Sequence, residues 1–172
     1  MAWTRGVARW LAGWLLAAGV LAFLAGCGFQ LRGSAALPAE MAVTYIQSTQ
    51  PFSSLVTDFG AALTARGVTV TEQRSAATAI LKIHDNKVEQ RVLSVNTAGK
   101  VLEYELQQTV RFSVATAANQ LLLEEQSVSL RRDYLYNNTD ILGKQREDQE
   151  VRQTLQRNLV NMAMLRLAAV RQ

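Results

Sequence analysis

Residues 102–114 alternate between apolar and polar side chains, and this period of two constrains the fold more than any other feature of the chain. The even-numbered positions share one parity and are apolar apart from Gln108: Leu102, Tyr104, Leu106, Val110, Phe112 and Val114. The odd-numbered positions share the other parity and are polar: Glu103, Glu105, Gln107, Thr109, Arg111 and Ser113. Such alternation is typical of an antiparallel strand that covers a core with one face and meets water with the other. We therefore predict a long, half-buried strand here.

The same period extends from Ala77 to Leu135, with two interruptions that contain turn-forming residues. Residues 96–100 and 117–120 supply Asn, Gly and Ala breaks, so we predict three long strands joined as a meander. The apolar parity changes between Ile83 and Val88, which predicts a bulge. Two shorter β-like runs precede these strands, at residues 43–47 and 68–71.

Two segments have helical spacing instead. The first is entered at residues 49–51 and closed by Arg66-Gly67, and its apolar positions are Phe52, Leu55, Val56, Phe59, Ala62 and Leu63. The second follows the N-cap candidates at residues 137–140, and its stripe comprises Val151, Leu155, Leu159, Met162, Leu165 and Ala169. The element order is β-α-β-β-β-β-α. It predicts an α+β fold in which two helices pack on one face of a mostly antiparallel sheet of four to five strands.

The N-terminus has the features of a lipoprotein signal. Arg5 and Arg9 precede an apolar run, and Leu24-Ala25-Gly26 then leads to Cys27, which is the only cysteine. We predict a signal peptide at 1–26, a lipidated tether at 27–41 and a single α+β domain at 42–172, with Cys27 as the acylated anchor. The alternative is that residues 10–26 form one membrane-spanning helix, although 17 residues reach only the short limit for a span. Either arrangement places the rest of the chain outside the cytoplasm.

Charge argues against a nucleic-acid partner. The whole chain has 18 Lys and Arg against 14 Asp and Glu, but removal of the leader with Arg5 and Arg9 reduces the excess from four to two. A protein that neutralises many phosphates needs a basic stripe, and so small an excess does not provide one.

The residues needed for catalysis or metal binding are scarce. His84 is the only histidine, and the carboxylates at Glu103, Glu105 and Glu124-Glu125 lie on predicted solvated strand faces. Such carboxylates usually protect a sheet edge and keep it soluble, although paired carboxylates can also be acid and base. We predict no catalytic residue, no metal site, no cofactor and no enzymatic activity.

Tyrosine is concentrated where the last strand ends. Tyr134 and Tyr136 flank Leu135, and asparagines follow at 137 and 138. One interpretation is a corner that caps the core, with rings packed and hydroxyls in water. The other is an anchor in a protein interface, where tyrosine is enriched. The sequence leaves both open.

Several segments together resemble the LptE family of LPS-assembly lipoproteins. They are the Cys-Gly-Phe-Gln-Leu-Arg start at residues 27–32, Pro38 with the strand that follows, Ala98-Gly99 before Glu103-Tyr104, and residues 132–137 ahead of the last helix. The resemblance covers nearly all of the chain after Cys27. It implies a non-enzymatic subunit of the outer-membrane lipopolysaccharide translocon, which plugs and helps assemble the LptD-type β-barrel and binds lipopolysaccharide. Gly28, in place of an aspartate, implies sorting to the outer membrane, as in enterobacterial lipoproteins.

The resemblance also implies two basic contacts with lipopolysaccharide. The one after the final strand falls on Lys144. The one near the hairpin tip falls near Thr97, which is not basic, so Lys100 and Arg91 are the candidates in its place. Guanidinium and ammonium groups suit the phosphates of lipid A. The rival hypothesis is a stand-alone periplasmic-facing lipoprotein that binds an amphipathic small molecule in an apolar pocket between helices and sheet.

Overall fold

The computed structural model describes residues 36–136 and 141–170, with only the backbone of 141–145. The predicted signal peptide, Cys27, most of the predicted tether and the N-cap candidates at 137–140 lie outside the described residues. The described elements are β1 (Val43–Ser48), α1 (Ser54–Thr64), β2 (Thr69–Thr71), β3 (Ala79–Val95), β4 (Val101–Thr116), β5 (Leu121–Leu135) and α2 (Ile141–Ala168). Short 3-10 turns lie at Ala39–Ala42 and Arg74–Ala76. In the described part of the chain, neither helix is long and apolar enough to cross a membrane.

The five strands form one mixed sheet in the order β2-β1-β3-β4-β5. Strand β1 pairs in parallel with both β2 and β3 over short stretches, because α1 carries the chain back across the sheet between β1 and β2. The two long ladders, β3 with β4 and β4 with β5, are antiparallel. This confirms the predicted meander, and the register shift between Ile83 and Asp85 is the predicted bulge.

Both helices cover the same face of this sheet and share one core with it. Strand β4 buries Leu106, Val110, Phe112 and Val114 there, as the alternation predicts. Gln108 has the same parity and is only 3% exposed. Its Nε2 donates a hydrogen bond of 2.9 Å to Asn86 Oδ1, so the amide that interrupts the apolar face has a partner.

Helix α1 begins later than the sequence predicts. Its first residue is Ser54, so Pro51 lies before the helix, and Phe52 is fully exposed instead of belonging to the apolar stripe. Its C-terminus agrees with the prediction. Gly67 has a φ of +82°, and the amide of Val68 donates back to the Leu63 carbonyl across it, which closes the helix.

The buried face of α2 differs from the predicted stripe. Met162 and Leu165 are 39% and 63% exposed. The buried positions form two adjacent rows in which the residues are four apart: Leu155, Leu159, Ala163 and Leu167 in one row, and Val160 and Met164 in the other. The predicted stripe is therefore right at Leu155 and Leu159 and wrong from Met162 onward, where Met162 and Leu165 lie away from the sheet.

Candidate functional site

The β3–β4 hairpin projects one predicted basic residue at its tip. In the turn, Asn96 Oδ1 accepts hydrogen bonds from the amides of Ala98 (3.0 Å) and Lys100 (2.9 Å). Gly99 occupies the left-handed region with a φ of +72°, which a glycine adopts without strain. The turn therefore holds the backbone of Lys100 firmly, while the Lys100 side chain is exposed and forms no ion pair with any described residue.

Arg91, the second candidate, lies on the outer face of the sheet, away from the helices. Its Nη2 is 2.7 Å from Glu105 Oε1 and 3.2 Å from Gln107 Oε1. Glu105, the partner of Arg91, lies five residues after Lys100, which corresponds to roughly 16 Å along an extended strand. The structure therefore puts Lys100 and Arg91 on the same hairpin without bringing them together, and the charge of Arg91 is already balanced by Glu105.

An exposed apolar surface surrounds the hairpin tip, and sequence reasoning missed it. Five large side chains, each between 44% and 68% exposed, form what we call the apolar tip: Val92, Leu93, Val95, Leu102 and Leu135. Alternation assigns Val92 and Leu102 to the buried face, but both side chains are about half exposed, and among the described residues no helix side chain covers them. The adjacent Val92-Leu93 pair was the available signal, because a strand with one buried face cannot bury both.

The tyrosines at the end of β5 pack against a third tyrosine on β4. The ring of Tyr104 lies 5.9 Å from that of Tyr134 and 4.9 Å from that of Tyr136, the second contact being edge-on. Tyr104 and Tyr134 are directly opposite each other in the ladder. The rings pack as the core-capping interpretation describes, although the Tyr134 hydroxyl bonds to protein groups and not only to water. The interface role of Tyr134 and Tyr136 stays a prediction.

Four polar side chains close a ring of hydrogen bonds that ties this end of the sheet to α2. Gln90 Nε2 donates to the Tyr134 hydroxyl (2.8 Å), and that hydroxyl donates to Asp148 Oδ1 (2.6 Å). Arg152 completes the ring, since its Nε donates to Asp148 Oδ2 (2.7 Å) and its Nη2 donates to Gln90 Oε1 (2.8 Å). Every member is bonded to two others. We call this set the polar ring.

The ring perturbs the pKa values of its three titratable members, Tyr134, Asp148 and Arg152. Burial and the hydrogen bond to Asp148 raise the pKa of the Tyr134 hydroxyl, so it stays protonated and can donate. Burial alone would raise the pKa of Asp148 as well. Hydrogen bonds from Arg152 and Tyr134 outweigh burial, and the pKa of Asp148 lies below its ordinary value of 3.8.

We expect Asp148→Asn to destabilise the protein at neutral pH and to matter less in acid. Because the folded-state pKa of Asp148 is depressed, its stabilisation is fully present above 3.8 and disappears as the pH falls through the folded pKa. The ring is partly exposed, so the loss near neutral pH should be about 1 kcal/mol. Urea unfolding of the wild type and the variant at neutral and strongly acidic pH measures the difference. Glu150→Gln, an exposed site on the same helix, is the control, and a difference that does not shrink in acid would contradict this assignment.

Lys144, the predicted basic contact after the final strand, lies in the first turns of α2, where side chains fall outside the described residues.

His84 Nε2 is 2.8 Å from Ser113 Oγ and 3.8 Å from Glu125 Oε2. Both neighbours meet the same nitrogen, whereas a catalytic triad requires the carboxylate on the other one. Among the described residues, no three His, Cys, Asp or Glu side chains are grouped so that they could hold a metal ion.

A cleft of about 470 Å³ opens between the start of β5 and the end of α2. Its lining is mixed and comprises Leu122, Leu123, Glu124, Gln126, Arg166, Ala169 and Val170. The cleft is open to solvent, and Glu124, Gln126 and Arg166 make its lining partly polar, whereas the small-molecule carrier hypothesis requires a sizeable apolar pocket between helices and sheet. At the centre of that interface, Phe59, Phe112 and Leu159 are completely buried.

Solved structures of other lipoproteins share this fold. Lipoprotein B from Nitrosomonas europaea superimposes with a TM-score of 0.68 at 25% identity, covering 83% of this chain and 91% of that one. Rare lipoprotein B from Shewanella oneidensis gives a TM-score of 0.63 at 23% identity, covering 74% and 94%. The two helices on a five-stranded mixed sheet are thus the architecture of a group of bacterial lipoproteins.

Sequence relatives give the family. The LPS-assembly lipoprotein LptE of Photorhabdus laumondii is 31% identical over 144 residues, covering 81% of this chain and 78% of that protein. The LptE of Pectobacterium atrosepticum is 23% identical over 147 residues, covering 85% and 79%. The family model for LptE, described as lipopolysaccharide-assembly, matches residues 40–167 and so takes in all five strands, α1 and nearly all of α2. The chain therefore belongs to the LptE family of non-enzymatic LPS-assembly lipoproteins.

Proposed function

We propose that this protein is an outer-membrane lipoprotein that plugs an LptD-type β-barrel, assists the assembly of that barrel and binds lipopolysaccharide on its way to the cell surface. The observation that carries the proposal is the family match over residues 40–167, joined to the lipoprotein signal that ends at Cys27. An acylated Cys27 would anchor the protein to the outer membrane, since several acyl chains give a stable attachment.

The outer face of the sheet has the polarity that a water-filled lumen requires. Arg111 pairs with Glu125 at 3.0 Å, and Arg91 pairs with Glu105 at 2.7 Å. Between them, Thr109 Oγ1 donates to Ser129 Oγ at 2.9 Å. Side chains of this kind can meet the polar inner wall of a barrel through direct and water-mediated hydrogen bonds. This supports a domain enclosed by a barrel on its sheet face.

The hairpin tip combines the two chemistries of a lipopolysaccharide headgroup. The free ammonium of Lys100 suits a phosphate, and the apolar tip around it suits acyl chains. We propose Lys100 and Lys144 as the main phosphate contacts, with Arg91 as a secondary contact because its charge is shared with Glu105.

Replacing both Lys100 and Lys144 by glutamate should weaken lipopolysaccharide binding by about tenfold or more, because each change removes a cation and introduces repulsion. Binding of purified lipopolysaccharide to the immobilised protein measures this. Lys82→Glu is the matched control. It is also an exposed lysine on the same hairpin, but roughly 40 Å from the tip along β3. Equal affinity in the double variant and the control would exclude this contact, and unfolding midpoints should be almost unchanged in both.

The barrel and the anchor can be tested in one preparation. A tagged chain is extracted from outer membranes in detergent, its partners are identified and the mass of its N-terminus is determined. We expect a large β-barrel protein in near-equal amount and an acylated Cys27 at the N-terminus. Cys27→Ser should release the protein from the membrane fraction. Recovery of the acylated chain without any barrel would count against the plug, and an intact leader would count against the anchor.

A further inference from the structure

One edge of the sheet is long and has no strand beside it. The outer strands are β2, which has three residues, and β5, which has fifteen. Within the part of the chain that the structure describes, nothing pairs with the outer edge of β5. An edge of this length presents a row of backbone donors and acceptors to which another extended segment can be added.

The direction of these backbone groups follows from two hydrogen bonds. The amide of Tyr136 donates to the Leu102 carbonyl at 2.7 Å, so it points toward β4. The register between β4 and β5 is continuous back to residue 126. The backbone N–H and C=O groups of even-numbered residues from 128 onward therefore point toward β4, and those of odd-numbered residues point away from it. The carbonyl of Ser127 fits this alternation, because it accepts a hydrogen bond from Arg166 of α2 (2.7 Å) instead of from β4. Ser129, Arg131, Asp133 and Leu135 are therefore the residues whose amides and carbonyls face outward.

Two arginines in this stretch have no hydrogen-bond partner among the described residues, unlike several other arginines. Arg131 pairs in register with Gln107, on the outer face, and Arg132 pairs with the buried Leu106, on the helix face. Both are exposed, and neither donates to a described residue. Several other arginines do donate to an oxygen of a described residue: Arg66, Arg74, Arg91, Arg111 and Arg152.

We infer that the edge of β5 from Ser129 to Leu135 is a docking site for an extended segment of another protein that carries two consecutive acidic residues. The outward amides and carbonyls would extend the sheet by one strand. Side chains of consecutive residues in a strand point to opposite faces, so one acidic residue would meet Arg131 and the next would meet Arg132. The partner is defined by this charge pattern and by extended structure, and the inference does not depend on the barrel.

A second copy of this chain fits the edge less well. The antiparallel register that places Arg131 opposite Asp133 of the second copy also places the two Arg132 side chains opposite each other. Like charges directly opposite each other in a ladder are destabilising. An acidic strand has no such conflict.

The test uses the full-length protein purified in detergent and a synthetic probe. The probe is a peptide of about eight residues in which valine and threonine alternate around a central Glu-Glu pair, and the control peptide has Lys-Lys at the centre. We expect the acidic peptide to bind at least about tenfold more tightly than the basic one. Its binding should slow amide hydrogen exchange at Ser129, Arg131 and Asp133, and leave the amides of the even residues almost unchanged.

Two sets of variants locate the binding. Asp133→Pro removes an outward amide without removing a bond to β4, so it should abolish peptide binding, whereas Asp133→Ala should retain it. Arg131→Glu combined with Arg132→Glu should reverse the preference in favour of the basic peptide, and this variant keeps the strand intact if the proline variant fails to fold.

Four results would overturn the inference. The first is equal binding of the two peptides. The second is protection of the odd amides before any peptide is added, which would mean that this chain covers its own edge. The third is self-association that Asp133→Pro abolishes, which would make a second copy the occupant. Absence of binding by either peptide would also overturn it and leave Arg131 and Arg132 as charges that only protect the edge.

Discussion

Replacing Phe112 by alanine is expected to lower the free energy of unfolding by about 3–5 kcal/mol, the range for aromatic truncations in protein cores. Phe112 is completely buried on β4, and its ring centroid is 6.2 Å from that of Phe59 on α1. The loss has two parts, the transfer free energy of the ring and the cavity that remains between sheet and helix. A loss of this size is a large fraction of the about 5–15 kcal/mol by which a typical domain is stable.

Urea unfolding followed by circular dichroism measures this effect, and an exposed residue supplies the control. Leu121 on β5 is 63% exposed, so Leu121→Ala should change the free energy of unfolding by about 0.5 kcal/mol or less. If the two variants were equally stable, Phe112 would not lie in the interface between the sheet and α1. The aromatic contact adds a second readout, because Phe59→Leu and Phe112→Leu together should cost less than the sum of the two single changes.

The strand faces could be predicted from the sequence because a strand's side-chain direction is a local property. Alternation over residues 102–114 identifies the buried parity correctly, and it places even the amide of Gln108 on the covered side. The bulge after Ile83 also leaves a local trace, since the apolar parity changes there. At the open end of the hairpin this reasoning fails. Val92 and Leu102 have the buried parity, but whether a helix reaches that far is decided by tertiary structure.

The polar ring could not be predicted from sequence, because its members come from three elements. Arg152 and Gln90 are separated by 62 positions in the chain. Asp148 and Arg152 are four residues apart on α2, and this spacing was the only local signal of the four. The candidate lipopolysaccharide site at the hairpin could likewise be predicted only in part. The position of Lys100 in a turn follows from Asn96 and Gly99, whereas the pairing of Arg91 with Glu105 depends on the register of two strands.

The later part of the α2 stripe, from Met162 onward, was predicted wrongly for a related reason. From Leu159 onward α2 has apolar residues on more than one side, so it offers more than one stripe at spacings of three and four, and the sequence does not say which one meets the sheet. The predicted stripe includes Leu159, which is completely buried, and Leu165, which is 63% exposed. Two leucines of one predicted stripe therefore have opposite environments, and this difference can be measured.

Leu159→Ala should lower the free energy of unfolding by about 2–5 kcal/mol, whereas Leu165→Ala should change it by about 0.5 kcal/mol or less. The two substitutions are chemically identical and lie on the same helix, so helix propensity affects both equally and cancels in the comparison. What remains is the burial of one leucine against the sheet, in the row of α2 that also contains Leu155 and Ala163. Urea unfolding of both variants under one set of conditions gives the difference directly. A larger loss at Leu165 than at Leu159 would show that Leu165 is covered by other residues, and the buried face of α2 described above would then be wrong.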